Sequence, residues 1–270
     1  MMQPHHKVAA IQMNSGAVLA NNLARAGELV AEAAQAGASL VLLPEYFCLM
    51  GEHDSDRVAI GEPFGDGPIQ RFLSDLAKRE QVWLSAGTVP LISSEPGKVF
   101  NSNLWFDDQG QCVGRYDKIH LFGFDNGQES YLESATLAAG RTITTVTTLV
   151  GEVRASVCYD LRFPELYRQQ SGYAVITAPA AFTYTTGQAH WELLLRSRAV
   201  ENQCYVVAAA QTGIHPGGKR TFGHSMIVDP WGNILDCREE GEGIVIAAID
   251  FSHMMKIRQQ LPALKNRIFN

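Results

Sequence analysis

No stretch of the sequence approaches the ~18 consecutive apolar residues of a membrane span, and residues 1–7 contain no apolar signal core. Basic residues are in deficit: 22 Lys and Arg stand against 28 Asp and Glu, a net charge of −6. A nucleic-acid partner is therefore not expected, because phosphates favour basic patches. Cysteine is sparse. Cys48, Cys112, Cys158, Cys204 and Cys237 are odd in number, far apart and lack a C-x-x-C pair. Neither a zinc site nor a disulfide framework follows from them. No linker or low-complexity run divides the chain. The expectation is one domain over residues 1–270: soluble, cytoplasmic, with reduced thiols and no metal or cofactor.

What is present is enough apolar material for a large core, 46% of 270 residues. Runs at 7–13, 38–43, 82–91, 153–158, 173–178, 204–210 and 243–250 are apolar at consecutive positions, which predicts strands covered on both faces. Helical periodicity marks 19–36, where Leu23, Ala26, Leu29, Val30, Ala33 and Ala34 share a face before Gly37. Further helices are predicted over 69–80, 190–203 and 253–267. Between 82 and 118 strands follow one another without a helix. That pattern predicts an α/β layered sandwich with helices outside rather than a simple β-α repeat.

Three strands stop at reactive residues. Leu40-Val41-Leu42-Leu43-Pro44 ends at Glu45, Val113-Gly114-Arg115-Tyr116-Asp117 at Lys118, and Val153-Arg154-Ala155-Ser156-Val157 at Cys158. A helix opening on Pro164 is predicted just after Cys158, so free N–H groups would lie beside the thiol and could stabilise a thiolate. Strand ends are where α/β folds usually place ligands. Together the three residue types suit amide cleavage. A thiolate attacks the carbonyl. A buried carboxylate of raised pKa takes the thiol proton and passes it to the departing nitrogen. An ammonium, with the backbone N–H of Tyr159, receives the oxyanion. Water then clears the thioester.

The same residues carry a resemblance. Leu43-Pro44-Glu45-Tyr46, Tyr116-Asp117-Lys118-Ile119-His120-Leu121-Phe122 and Ser156-Val157-Cys158-Tyr159-Asp160-Leu161-Arg162-Phe163-Pro164-Glu165-Leu166 resemble the three signatures of the nitrilase (carbon–nitrogen hydrolase) superfamily. The likeness runs from about residue 7 to 265. It implies a four-layer αββα sandwich, a catalytic set of Glu45, Lys118 and Cys158, and subunits that pair into a homodimer or larger homo-oligomer. It also implies a second glutamate beyond the lysine segment; Glu133 suits that spacing better than Glu129. Residues 190–199, 208–211 and 223–232 resemble the deaminated glutathione amidase branch, which releases 2-oxoglutarate and cysteinylglycine. Omega-amidase, which acts on 2-oxoglutaramate, makes the same acyl-enzyme and stays open as an alternative, as do a nitrile-cleaving enzyme and a non-catalytic scaffold.

Other signals are weaker. Arg162, Tyr184 and His190 are candidate substrate contacts, although Arg162 can instead pair with Glu165. Residues 213–219 match most of a P-loop, but Arg220 stands where Ser or Thr would bind magnesium, and a strand follows. Nucleotide binding is rejected in favour of a flexible loop near substrate, with Lys219 and Arg220 as a solvated pair that could meet a carboxylate. His120 and His224 read as structural, Cys48 as packing. Trp191, Leu194 and Leu195 read as helix packing or a dimer face.

Overall fold

The computed structural model describes residues 6–268. The part of the N-terminal reading that falls on residues 1–5 lies outside the described residues. Strands β1 (His6–Gln12), β2 (Ala38–Leu42), β3 (Trp83–Ser85), β4 (Val89–Ile92), β5 (Val99–Phe106) and β6 (Cys112–Asp117) build the first sheet. The second contains β7 (Thr145–Thr148), β8 (Gly151–Ala155), β9 (Val175–Thr177), β10 (Tyr205–Ala208), β11 (Ser225–Val228) and β12 (Ile234–Arg238), while β13 (Gly243–Ile249) returns to the first. The first sheet runs β13-β1-β2-β3-β5-β4, with β6 and the short segment Leu137–Ala138 also on β5; the second runs β7-β8-β9-β10-β11-β12.

Side chains alternate across each strand, and this alternation creates the layers. Val8, Ala10, Leu40 and Leu42 face the other sheet and meet Val175, Val207 and Ile227. Their neighbours Ala9, Ile11, Val41 and Leu43 face outward, onto helices α1 (Leu19–Gln35) and α2 (Pro68–Glu80). On the opposite side, Ile176, Val206 and Val228 pack beneath α3 (Pro164–Arg168) and α4 (Tyr184–Asn202) through Leu166, Tyr167, Trp191, Leu195 and Ala199. The result is an αββα sandwich. Each fully buried Leu or Val contributes about 1.5–3 kcal/mol of transfer free energy.

Several element boundaries differ from the sequence-based expectation for local reasons. Helix α4 begins at Tyr184 rather than 190, because the Thr183 hydroxyl caps the Thr186 N–H at 3.3 Å. The last helix, α5 (Phe251–Gln260), stops well before 267, since Pro262 restricts the residue ahead of it. The run 82–91 breaks into β3 and β4 at Gly87, whose φ is +54°. A Cβ there would lie 2.0 Å from the Pro44 carbonyl oxygen. Glycine therefore lets this turn close against the segment that carries Glu45. Residues 213–219 form a pinned turn rather than a flexible loop. Thr212–Ile214 and Arg220–Phe222 pair as a hairpin, and His215 inside it bonds the Ser15 carbonyl at 2.9 Å and Thr221 Oγ1 at 2.7 Å. Among the described residues, no helix is long and apolar enough to cross a membrane.

Candidate active site

Glu45, Lys118 and Cys158 converge where β2, β6 and β8 end. Glu45 is buried, and three donors fix its carboxylate. Its Oε1 accepts from Asn101 Nδ2 at 2.8 Å and Lys118 Nζ at 2.9 Å, and its Oε2 from the Ala181 N–H at 2.9 Å. Lys118 is fully buried. Its N–H donates to the Asn101 carbonyl at 3.0 Å, and its own carbonyl accepts from Gly140 at 2.8 Å. Its ammonium bridges Glu45 and Glu133, the latter at 2.8 Å. Glu133 in turn accepts from the Tyr46 hydroxyl at 2.8 Å and the Phe122 N–H at 2.7 Å. Glu129 sits instead in the hairpin turn beyond Phe122, its N–H on Asn126 Oδ1. The second glutamate beside Lys118 is therefore Glu133.

Cys158 occupies a strained elbow. Its φ of +50° is unusual for a residue with a Cβ, costing about 1–2 kcal/mol. Asp160 helps hold it there. This fully buried carboxylate accepts from the Val157 N–H at 2.8 Å, the Tyr116 hydroxyl at 2.7 Å, and His120 through both its N–H (3.1 Å) and Nδ1 (2.7 Å). One side chain thus ties the strand leading to Lys118 to the turn holding Cys158. His120 also stacks on Phe163, ring centroids 3.7 Å apart. It is spoken for structurally. His224 is likewise stacked on Phe222 and bonded to its carbonyl.

Burial sets the protonation states. It pushes the Cys158 thiol well above its usual range, reinforced by the neighbouring Glu45 carboxylate. Burial thus favours the protonated thiol, which needs a base before it can attack, and the helix N–H groups expected beside it do not offset this. The segment after it is a 3₁₀ turn, Cys158–Arg162, followed by only five helical residues, which give little dipole to oppose burial. Burial also raises Glu45, assisted by Glu133 and opposed by Lys118. For Lys118, burial works against the charged form, but Glu133 and Glu45 outweigh it and hold the ammonium well above its ordinary value. A neutral thiol thus faces a carboxylate suited to take its proton, beside a fixed cation.

A cleft opens at Cys158 in two lobes. The smaller is lined by Phe122, Tyr159, Arg162, Phe182, Thr183 and Thr186. The larger is lined by Glu45, Arg57, Tyr131, Lys219 and Arg220 among others. Arg162 thus reaches the cleft. Among the described residues it pairs with no carboxylate, Glu165 included; it donates to His190 Nδ1 at 3.2 Å and lies over Tyr159 and Phe182. Tyr184 and His190 back the cleft rather than line it: His190 steadies Arg162, and Tyr184 carries Arg220 on its ring. Asn101, Tyr46 and Asp160 escaped sequence reasoning as individual site residues. Tyr46 and Asp160 adjoin Glu45 and Cys158 in the motifs, which was a usable signal; Asn101 carried none. Cys48 and Cys204 are buried in the cores, and burial pushes Cys48 up to about 12. Among the described residues no group of three or more His, Cys, Asp or Glu could hold a metal ion.

A four-layer sandwich with these strand-end residues places the molecule in the nitrilase fold class. The carbon–nitrogen hydrolase profile matches residues 7–259, and the chain belongs to that family. It is 42% identical to the deaminated glutathione amidase of Synechocystis sp. over 274 residues, covering 99% of this chain and 100% of the relative. The crystal structure of Saccharomyces cerevisiae Nit3, a member of branch 10 of the nitrilase superfamily, superposes with a TM-score of 0.88 at 33% identity, covering 98% of this chain and 97% of that one. The C. elegans NitFhit protein gives a TM-score of 0.89 at 35% identity; 99% of this chain spans 66% of that longer one.

Proposed function

We propose that the protein hydrolyses the amide of deaminated glutathione, through a thioester on Cys158, to 2-oxoglutarate and cysteinylglycine. The observation that carries the chemistry is the buried Cys158–Glu45–Lys118–Glu133 cluster at the junction of the two lobes. Glu45 takes the thiol proton as sulfur attacks the carbonyl carbon. The oxyanion is received by the ammonium N–H of Lys118 that Glu45 and Glu133 leave free, and by the Tyr159 N–H in the first turn after Cys158. Glu45 then delivers its proton to nitrogen, the C–N bond breaks and the amine leaves. A water deprotonated by Glu45 attacks the thioester, and Cys158 recovers its proton as the acid departs. Glu133 holds the Lys118 ammonium charged and oriented.

The substrate is supported by the names of the similar curated proteins and by the cations in both lobes, which suit the carboxylates of this amide. Omega-amidase is the alternative, since 2-oxoglutaramate forms the same acyl-enzyme. Comparison of kcat/KM for the two substrates decides between them; a preference for 2-oxoglutaramate refutes our reading. Mass spectrometry of the trapped acyl adduct is expected to place it on Cys158, and an adduct on Cys48 or Cys204 overturns the site. We also propose a cytoplasmic homo-oligomer acting on a small molecule, without a cofactor or a nucleic-acid or membrane partner. Five free thiols suit a reducing compartment; sedimentation velocity measures the assembly.

A further inference from the structure

The larger lobe contains cations that the steps at Cys158 do not use. Two are already engaged: Arg57 Nη2 and Lys219 Nζ both donate to Asp54 Oδ1, at 2.7 and 2.5 Å. Arg220 is different. Among the described residues it meets no carboxylate, and its guanidinium lies 3.5 Å from the centroid of the Tyr184 ring. That platform is itself fixed, edge-on to Phe222 and with its hydroxyl accepting from Gln188 at 3.0 Å. The hairpin that carries Arg220 is pinned by His215, by the Thr183–Thr221 bridge and by Lys219 on Asp54. A planar donor fork, unpaired and preorganised at a cleft wall, is suited to a carboxylate.

The lobes also have a direction. Glu45, which must protonate the departing nitrogen, lines the larger lobe and not the smaller. Tyr159 and Arg162 line the smaller. The amine half is therefore assigned to the larger lobe, on the side of Glu45. A two-residue leaving group extends at most about 7 Å from the scissile nitrogen, and it ends in a carboxylate.

We propose that Arg220, stacked on Tyr184, anchors the terminal carboxylate of the leaving group, so that the enzyme selects amides with an anionic group on both sides of the scissile bond. This rests on the function proposed above and assigns the specificity to one side chain.

The test is a cycle between enzyme and substrate. Wild type, Arg220→Met and Arg220→Lys are each assayed on deaminated glutathione and on its analogue with a glycine carboxamide in place of the carboxylate. Wild type is expected to lose about 10- to 100-fold in kcat/KM on the carboxamide, the scale of a hydrogen bond to a charged group. Arg220→Met is expected to show a similar loss on the acid and no further loss on the carboxamide. Arg220→Lys falls between, because it keeps the charge without the fork. If Arg220→Met still prefers the acid as strongly as wild type, or loses 2-oxoglutaramate turnover to the same extent, the anchor is overturned and the substrate reading stands. If wild type fails to hydrolyse deaminated glutathione, the substrate reading falls and the anchor with it.

Discussion

Replacing Glu133 with glutamine removes one of the two carboxylates that hold the Lys118 ammonium. The carboxylate accepts three donors: the Tyr46 hydroxyl, Lys118 Nζ and the Phe122 N–H. A carboxamide offers one acceptor oxygen, so its NH₂ must face Phe122 or Lys118, donor against donor. Breaking a buried ion pair costs about 3–5 kcal/mol. Lys118 keeps Glu45, so the expected loss of stability is about 2–3 kcal/mol, read by denaturant unfolding. The pH profile carries a sharper signature. Glu133 raises Glu45, Cys158 and Lys118 alike. Removing its charge lowers all three, so both limbs of the kcat/KM–pH curve move to lower pH. The rate falls by about a hundredfold, the lower end of what a lost oxyanion donor costs. The control is Glu129→Gln, which leaves the profile unchanged. Glu133→Gln activity within threefold of wild type, or limbs that stay in place or move alkaline, refutes the reasoning.

Lys118→Ala is expected to abolish turnover, whereas His120→Ala costs stability through Asp160 and Phe163 and keeps activity within about tenfold, since a structural hydrogen bond contributes about 1 kcal/mol; the reverse ranking in steady-state assays favours a Cys–His pair. Gly87→Ala forces a Cβ toward the Pro44 carbonyl at positive φ and destabilises by about 3 kcal/mol; a melting temperature unchanged within 2 °C, about what a ΔΔG below 1 kcal/mol gives at this size, rules out the close approach. Burial lowers the pKa of His215 from 6.5, with Lys219 adding to it. Its contribution to stability is therefore complete above pH 6.5 and is lost as pH falls through the lowered folded value, because the unfolded chain binds the proton first. Melting temperatures between about pH 8 and 5 are expected to fall less steeply in His215→Gln than in wild type.

Much of the architecture was legible in the chain because burial on both faces leaves a local trace. Val8 to Ile11 and Leu40 to Leu43 are apolar at every position, which only a strand between two layers requires. The α1 face was legible from its period. Features that depended on a single contact were not. The early start of α4 depends on the Thr183 cap, over residues whose propensity for helix is poor. The hairpin at 212–222 depends on His215 reaching Ser15, some 200 residues away. The Arg162–Glu165 option was a local guess that the fold answered with His190, brought in from α4.

The chain by itself determined the candidate reactive groups. A glutamate, a lysine and a cysteine each stand where a predicted strand stops, and amide chemistry uses those three types together. The positions of Glu45 and Cys158 follow from local burial patterns, which sequence records directly. Tertiary structure alone decided how the groups are charged and what surrounds them. Closing the two sheets removed water from Lys118 and put Glu133 and Asn101 within hydrogen-bond reach, and burial then held the Cys158 thiol neutral. It also divided the cleft at Cys158 and left Arg220 without a carboxylate partner among the described residues. Those outcomes arise from distances between segments far apart in the chain and from the loss of solvent on packing. Neither quantity exists before the chain has folded.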